Sequence, residues 1–212
     1  PVLFAGQKVA ADIDRGVLRL TSSISYSIVQ GKVGQVELRL PRRSTILRVR
    51  GKKIKTWDTE KTGAGKGRLL RVTFSENISG DYSLSVELER VLPDDGAEME
   101  LPTVEALGVR RERGQIVVAA ARGLSVETVK TQNVSPMDVQ EVRKLAAEPS
   151  GKARLAFRYL QRPFGLSVRT SEVKPKISAE VLNRVRAGTG SMHLSSTINY
   201  TIRDAAVFDL EV

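Results

Sequence analysis

Long runs in which apolar and polar residues alternate leave this chain few choices other than sheet. Between Gly16 and Ile28, the residues Leu18, Leu20, Ile24, Tyr26 and Ile28 fall on one parity, and polar residues fill most of the other. A strand turns successive side chains to opposite faces, so this pattern reads as one long strand with one buried face. The same period returns in Val33 to Leu40, Tyr82 to Glu89, Arg154 to Tyr159, Leu166 to Arg169 and Lys176 to Val181. Turn-forming residues punctuate these runs at Gln30-Gly31, Arg50-Gly51, Ser79-Gly80-Asp81, Pro93-Asp94-Asp95-Gly96, Arg113-Gly114 and Gly188-Thr189-Gly190. The expectation is about a dozen strands or a few more, joined mostly by short connections. That makes an all-β, mainly antiparallel fold, a stacked-sheet β-sandwich or super-sandwich.

One segment breaks the period. Ser135 is placed as an N-cap, Pro136 as the first helical residue and Asp138 as a first-turn acid, with Val139, Val142, Leu145 and Ala146 recurring at helical spacing before Pro149-Ser150-Gly151. This predicts one short amphipathic helix over about residues 136–147, packed on a sheet.

The residue inventory excludes several chemistries. There is no cysteine, hence no disulfide, thiolate nucleophile or Cys-zinc site, and His193 is the only histidine, so no two-histidine metal site can form within the chain. No apolar run approaches the ~20 residues of a membrane helix. The chain opens Pro-Val-Leu-Phe without an initiator Met, and is expected to be a processed or excised piece of a longer one.

Motifs that suggest catalysis fail on inspection. Lys61-Thr62-Gly63-Ala64-Gly65-Lys66-Gly67-Arg68 looks like a phosphate loop, but Glu60 stands where the first glycine belongs and Gly67 where Ser or Thr would bind magnesium. A hairpin loop is expected there. Ser171-Glu172-Val173-Lys174 and Lys61-Thr62-Gly63 match two motifs of penicillin-recognising enzymes, in reversed order and with Ser171 in an extended stretch where a helix is required. A serine triad would have to use His193, which alternation places opposite Leu194, on the surface. Asp94-Asp95 lacks calcium-loop spacing and reads as a turn. Asn77, Asn133 and Asn199 stand in N-x-S/T contexts, with Asn133 to Ser135 assigned to the helix cap.

The chain also resembles itself. Leu18 to Ile28 match Met192 to Ile202 in chemistry at nearly every position at an offset of 174, and the match runs on from Val33, Val36, Glu37 and Leu38 to Val207, Leu210, Glu211 and Val212. Upstream, Lys8 to Ile13 resemble Lys176 to Val181, which requires a six-residue insertion after the later copy. We therefore expect residues 1–174 to be one repeat unit and residues 175–212 the opening strands of a second copy, packing onto the first.

The succession Gln35-Val36-Glu37-Leu38-Arg39-Leu40-Pro41, Val49-Arg50-Gly51, Ile54-Lys55-Thr56-Trp57, Leu101-Pro102-Thr103 and Val109-Arg110-Arg111-Glu112-Arg113-Gly114 resembles the β-rich tandem segments of large, uncharacterised bacterial envelope proteins. The resemblance spans most of the chain. It implies an extracytoplasmic, multi-unit scaffold and carries over no functional residue.

Charge is concentrated. Residues 42 to 71 hold eleven Lys and Arg against Asp58 and Glu60, which is most of the net +10. With a tight turn at Gly51-Lys52, Arg48 and Arg50 would share one face of a basic hairpin while Lys53, Lys55 and Trp57 share a parity on its second strand. Such a surface suits an anionic polymer, a lipid headgroup or nucleic acid. Sequence-specific nucleic-acid reading is disfavoured, since aromatics make up 5% of the chain and no zinc finger, RRM signature or helix-turn-helix is present. The expected protein is a non-enzymatic structural or adhesive module with no catalytic residue, cofactor or metal. Its partners would be neighbouring repeat units of the same polypeptide or another protein, and its location the cell envelope or the exterior. The alternative is a binding module using Arg48, Arg50, Lys53, Lys55 and Trp57 on a polyanion or membrane surface.

Overall fold

Two strands of 24 residues organise the molecule, and each runs through two parts of the fold. The computed structural model describes residues 1–61, 67–92, 98–141 and 151–204. The chain enters as β1 (Val2–Asp14), turns at Arg15-Gly16, and returns as β2 (Val17–Leu40). There follow β3 (Thr45–Gly51), β4 (Ile54–Lys61), β5 (Arg68–Val91), β6 (Glu98–Glu100), β7 (Glu105–Ala106), β8 (Arg111–Ala120), β9 (Leu124–Gln132) and β10 (Ser135–Pro136). The last four are β11 (Lys152–Tyr159), β12 (Gly165–Glu172), β13 (Lys176–Gly188) and β14 (Ser191–Arg203). The fold is all-β, as the alternation predicts, and mostly antiparallel; the exception is β1 against β8, a parallel pair.

β2 and β5 pair along their lengths, Val17 opposite Val91 at one end and Leu40 opposite Arg68 at the other. The register slips between Ile28 and Gln35, where β2 bulges opposite Gly80 of β5. On one side of the bulge β5 continues to β3, and on the other to β4, while β2 passes to β1 or to β7. Bulges bend a strand and sharpen its twist, so the two halves of β2 and β5 take different neighbours within one sheet, nine-stranded among the described residues. Gln30-Gly31 and Ser79-Gly80-Asp81, expected as turns, are therefore bulge and bend inside long strands, and Arg113-Gly114 likewise lies within β8.

The core follows the alternation. Leu18, Leu20, Ile24 and Tyr26 of β2 are buried with Leu84, Val86 and Leu88 of β5, and Leu38, Leu70 and Val72 continue the same cluster beyond the bulge. The sheet β6–β12–β9 adds Leu124, Val126, Leu166 and Val168 to it. Each fully buried aliphatic side chain removed from water stabilises by about 1.5–3 kcal/mol, so this shared cluster makes the several sheets one body.

The expected helix does not begin where its cap residues are. Ser135 and Pro136 form a strand opposite Arg158 and Phe157, and the Met137 amide donates to the Ala156 carbonyl at 2.8 Å. Asp138 accepts from the Gln140 amide at 2.7 Å, which makes a turn, and Met137 and Val139 pack on Val117 and Ala156. Covering the outer face of β8 wins over local helix signals. Residues 142–150, the rest of that expectation, lie outside the described residues.

Residues 173–175 separate β12 from β13. Among the described residues, the β13–β14 hairpin forms a two-stranded sheet of its own. Its strands pair, among the described residues, only with each other, and they are exposed along almost their whole length. Its register matches that of β1–β2. From Leu3↔Ile28 to Asp14↔Val17, every β1–β2 pair recurs 174 residues later, from Ile177↔Ile202 to Gly188↔Ser191. The turns match as well, with Gly16 at φ 72° and Gly190 at φ 80°. Lys176 thus corresponds to Val2 and not to Lys8, and no insertion is present. Register, fixed by the tight turn, decides the alignment that a short stretch of similar residues misplaces.

Candidate functional site

Two places gather side chains of chemical interest. The first is the basic corner between β3 and β4. These strands do not form a hairpin with each other, as the sequence suggested; β3 pairs with the Leu84–Glu89 part of β5 and β4 with the Arg68–Phe74 part. They part because they pair with different halves of β5, on either side of its irregularity, within one sheet. The corner between them is pinned by β5: the Tyr82 hydroxyl donates to the Lys52 carbonyl at 2.8 Å and the Ser75 amide to the Lys53 carbonyl at 2.8 Å, with Lys53 at φ 58°.

The five residues singled out by sequence divide here into two sets. Arg48 lies opposite Glu87 and pairs with it at 3.6 Å, while Lys53 makes a close ion pair with Glu76. The hydrogen bond and charge of Lys53 hold the Glu76 carboxyl below its ordinary range. Arg50 and Lys55 have no acidic partner among the described residues, and together with Trp57 they line one open concavity of about 570 Å³. Trp57 is 43% exposed there. Two free cations beside an exposed indole can hold an anion and lay a flat apolar ring or sugar face against it.

The second place was missed in the sequence. Glu112, in an arginine-rich string that reads as surface, is 6% exposed. Its Oε1 accepts from Arg162 Nε at 2.7 Å and lies 2.7 Å from the Tyr159 hydroxyl; its Oε2 accepts from the Ala106 amide at 2.8 Å. The Tyr159 hydroxyl also lies 2.8 Å from Gln7 Oε1, and Gln7 donates to the Val104 carbonyl at 3.1 Å. Arg162 reaches the same carbonyl and stacks over Phe164, which itself stacks on Tyr159 at 4.1 Å. Burial, and then the Glu112 carboxylate, push the Tyr159 hydroxyl well above its ordinary range. The signal that would have found this cluster is parity: Gln7 and Glu112 both sit on the inward faces of β1 and β8, with Leu3, Ala5 and Ile116.

This cluster is a clamp. Its acid is buried and bonded on both oxygens, while Arg162 and Phe164 on its outer side border an open concavity of about 440 Å³ with Thr103, Met99 and Arg90. It fastens β1, β8, β11 and the 103–106 segment at one end of the sheet. Gly114 belongs to it, because a Cβ there would meet Gln7 O at 2.5 Å and the Tyr159 hydroxyl at 2.7 Å.

Elsewhere the sequence motifs find no chemistry. His193 is exposed opposite Arg186 on β14, with no carboxylate bonded to it among the described residues. Ser171 lies in β12, its hydroxyl 2.6 Å from that of Ser125, so the penicillin-enzyme match has neither its helix nor its lysine. Residues 62–66 lie outside the described residues, but Lys61 and Arg68 on either side are paired antiparallel, so the segment joins two strands rather than a strand and a helix. Asp94 and Asp95 lie outside the described residues. The concavity of about 610 Å³ at the β1–β2 turn is lined by charges of both signs, among them Asp12, Asp14, Arg15 and Arg122. Among the described residues, no three His, Asp or Glu side chains gather to hold a metal ion.

No known protein family matches the chain, and no curated protein does. Among solved structures it is similar to an M1 zinc metallopeptidase from Deinococcus radiodurans, at 11% identity and a TM-score of 0.46, with 97% of this chain and 48% of that chain covered. It is also similar to yeast LTA4 hydrolase, at 9% identity, a TM-score of 0.44, and 82% and 29% coverage. A non-cellulosomal cohesin from the archaeon Archaeoglobus fulgidus shares 16% identity, with a TM-score of 0.33 and 54% and 90% coverage. The chain spans about half the length of the metallopeptidase it matches. Likeness at this level carries no residue and no activity across.

Proposed function

We propose that this chain is a non-enzymatic structural or adhesive β-sandwich unit of a larger, repeat-containing, exported protein. The observation that carries the reading is the β13–β14 hairpin, which repeats the register of β1–β2 at a spacing of 174 while leaving uncovered the face that β1–β2 buries. A module of an array needs just such a surface, because each unit buries against its neighbour what it leaves bare alone. The polar clamp at Glu112 supports the reading from the other side: Glu112 is buried and bonded to Arg162, Tyr159 and the Ala106 amide, an arrangement that ties strands together. The test is fractionation of source cells with an antibody to this chain. A band far above 23.2 kDa in the envelope or external fraction is expected, and a cytosolic band of about that mass would overturn the reading.

A second reading is favoured by one observation, the gathering of Arg50, Lys55 and Trp57 around a single concavity, the two cations having no acidic partner among the described residues. On this reading the unit holds an anionic polymer at its corner. Heparin retention that falls on Arg50→Glu with Lys55→Glu, but not on Arg48→Gln with Lys53→Gln, would support it; equal loss in both would mean only general charge.

A further inference from the structure

The β13–β14 hairpin has two faces of opposite character. One carries Ser178, Glu180, Arg184, Arg186, His193 and Ser195, with Leu182 its one large apolar residue. The other carries the cross-strand pairs Ile177↔Ile202, Ala179↔Tyr200, Val181↔Ile198, Val185↔Leu194 and Ala187↔Met192. On that second face Val181 is 55% exposed, Val185 57% and Leu194 66%. Their counterparts 174 residues earlier, Gln7, Ala11 and Leu20, are buried. A solvated apolar face of this length is unusual for a sheet that has no partner.

The chain itself displays what covers such a hairpin. β1 is flanked by the parallel strand β8, and β2 by the antiparallel strand β5. β13 and β14 present the same two edges in the same register, unpaired among the described residues. The one polar pair in the apolar face fits burial: the Ser196 hydroxyl donates to Asn183 Oδ1 at 2.7 Å. At the equivalent place Val9 faces Ser22, whose buried hydroxyl has no partner. The second hairpin is thus better satisfied for burial than the first.

Size decides between a free molecule and a tethered partner. A two-stranded face of this length measures about 44 Å by about 10 Å, on the order of 450 Å². A stable association of two proteins needs about 800 Å² per partner, so hairpin faces meeting in a simple dimer fall short. Strands delivered on the same polypeptide do not carry the cost of bringing two molecules together, and they add hydrogen bonds along both edges.

We propose that β13–β14 is the seat for a second copy of this chain's own residues 30–173 on the same polypeptide. A β8-type strand lies parallel on the free edge of β13, and a β5-type strand antiparallel on the free edge of β14. This rests on the array reading and specifies its joint.

The test extends the chain: residues 1–203 are followed directly by a second copy of residues 30–173, since Arg203 corresponds to Val29. Hydrogen exchange of residues 177–202 is compared with that in the 212-residue chain. Slowing by 100-fold or more is expected, together with protection of the added segment. Val185→Lys with Leu194→Lys should abolish that slowing while leaving the urea midpoint of the 212-residue chain unchanged, because both positions are exposed in it. An added segment that folds while the hairpin keeps its fast exchange overturns the seat but spares the array. An added segment that stays unprotected overturns both.

Discussion

Glu112 and Arg162 are joined at 2.7 Å between Glu112 Oε1 and Arg162 Nε, with the Glu112 side chain 4% exposed and that of Arg162 21%. Removing the acid leaves a largely buried guanidinium without its charge partner and the Ala106 amide without its acceptor, and leaves the Tyr159 hydroxyl with Gln7 Oε1 alone. Glu112→Ala should therefore cost about 3 kcal/mol, at the lower end for a broken buried pair because Arg162 keeps some contact with water. Arg162→Ala in the Glu112→Ala background should cost much less than in the native chain. Urea unfolding of the two single variants and the double variant measures this, and additive losses would mean the pair is not coupled.

Gly114 supplies a test of the same clamp without touching charge. Its missing Cβ is the space into which Tyr159 and the Gln7 carbonyl close. Gly114→Ala should destabilise by about 2 kcal/mol, the usual cost of forcing atoms into a packed site. Gly188→Ala, whose nearest neighbour is the Ser191 hydroxyl at 3.4 Å, is the control and should leave the thermal midpoint near its native value.

Much of this fold was legible because most strands have one wet face and one dry one, so Leu18, Leu20, Ile24, Tyr26 and Ile28 announce β2 by parity alone. What local sequence does not distinguish is a hairpin turn from a bulge, since both call for a glycine at positive φ. Gly16 ends a strand and Gly31 only bends one, and the difference is the length of β5 available to pair beyond it. Ser135-Pro136 failed for a related reason. Its cap chemistry is sound, but Arg158 and Phe157 of β11 offer a strand partner that no local pattern records. The basic residues were legible as a group, yet their division into neutralised Arg48 and Lys53 and free Arg50 and Lys55 depends on Glu87 and Glu76, far along the chain.

Tyr26 and Tyr159 make opposite predictions at neutral pH and the same one in alkali. Both hydroxyls are raised above the ordinary value of 10.0, chiefly by burial. Near pH 10 the unfolded chain begins to ionise these tyrosines while the folded chain keeps their protons. The unfolded state then binds fewer protons, so stability falls as pH rises, by at most about 1.4 kcal/mol per pH unit for each tyrosine. Below that range neither contributes a slope. Tyr26→Phe and Tyr159→Phe should each flatten the loss between pH 10 and 11.5 in urea titrations. At pH 7 they part: Tyr26 buries a hydroxyl with no partner, so its removal is neutral or stabilising by up to about 1 kcal/mol, whereas losing the Tyr159 hydrogen bonds costs about 1–2 kcal/mol.

The two hairpins offer an internal comparison that few single chains provide. β1–β2 and β13–β14 share twelve cross-strand pairs in one register, so the hydrogen bonds between their own strands are alike and cannot explain a difference in protection. Their neighbours differ. β1–β2 is sealed on both edges by β8 and β5 and on its apolar face by the core, while β13–β14 has no such neighbour among the described residues. An isolated two-stranded hairpin is marginal in water. Amides from Ile177 to Ile202 should therefore exchange faster than those from Leu3 to Ile28 by about two orders of magnitude or more in native-state hydrogen exchange. Protection would then track the flanking strands, and the turn and register would account only for which residues meet. Equal protection in the two hairpins would mean that β13–β14 is already covered in the 212-residue chain, and its exposed face would lose its claim to be a joint.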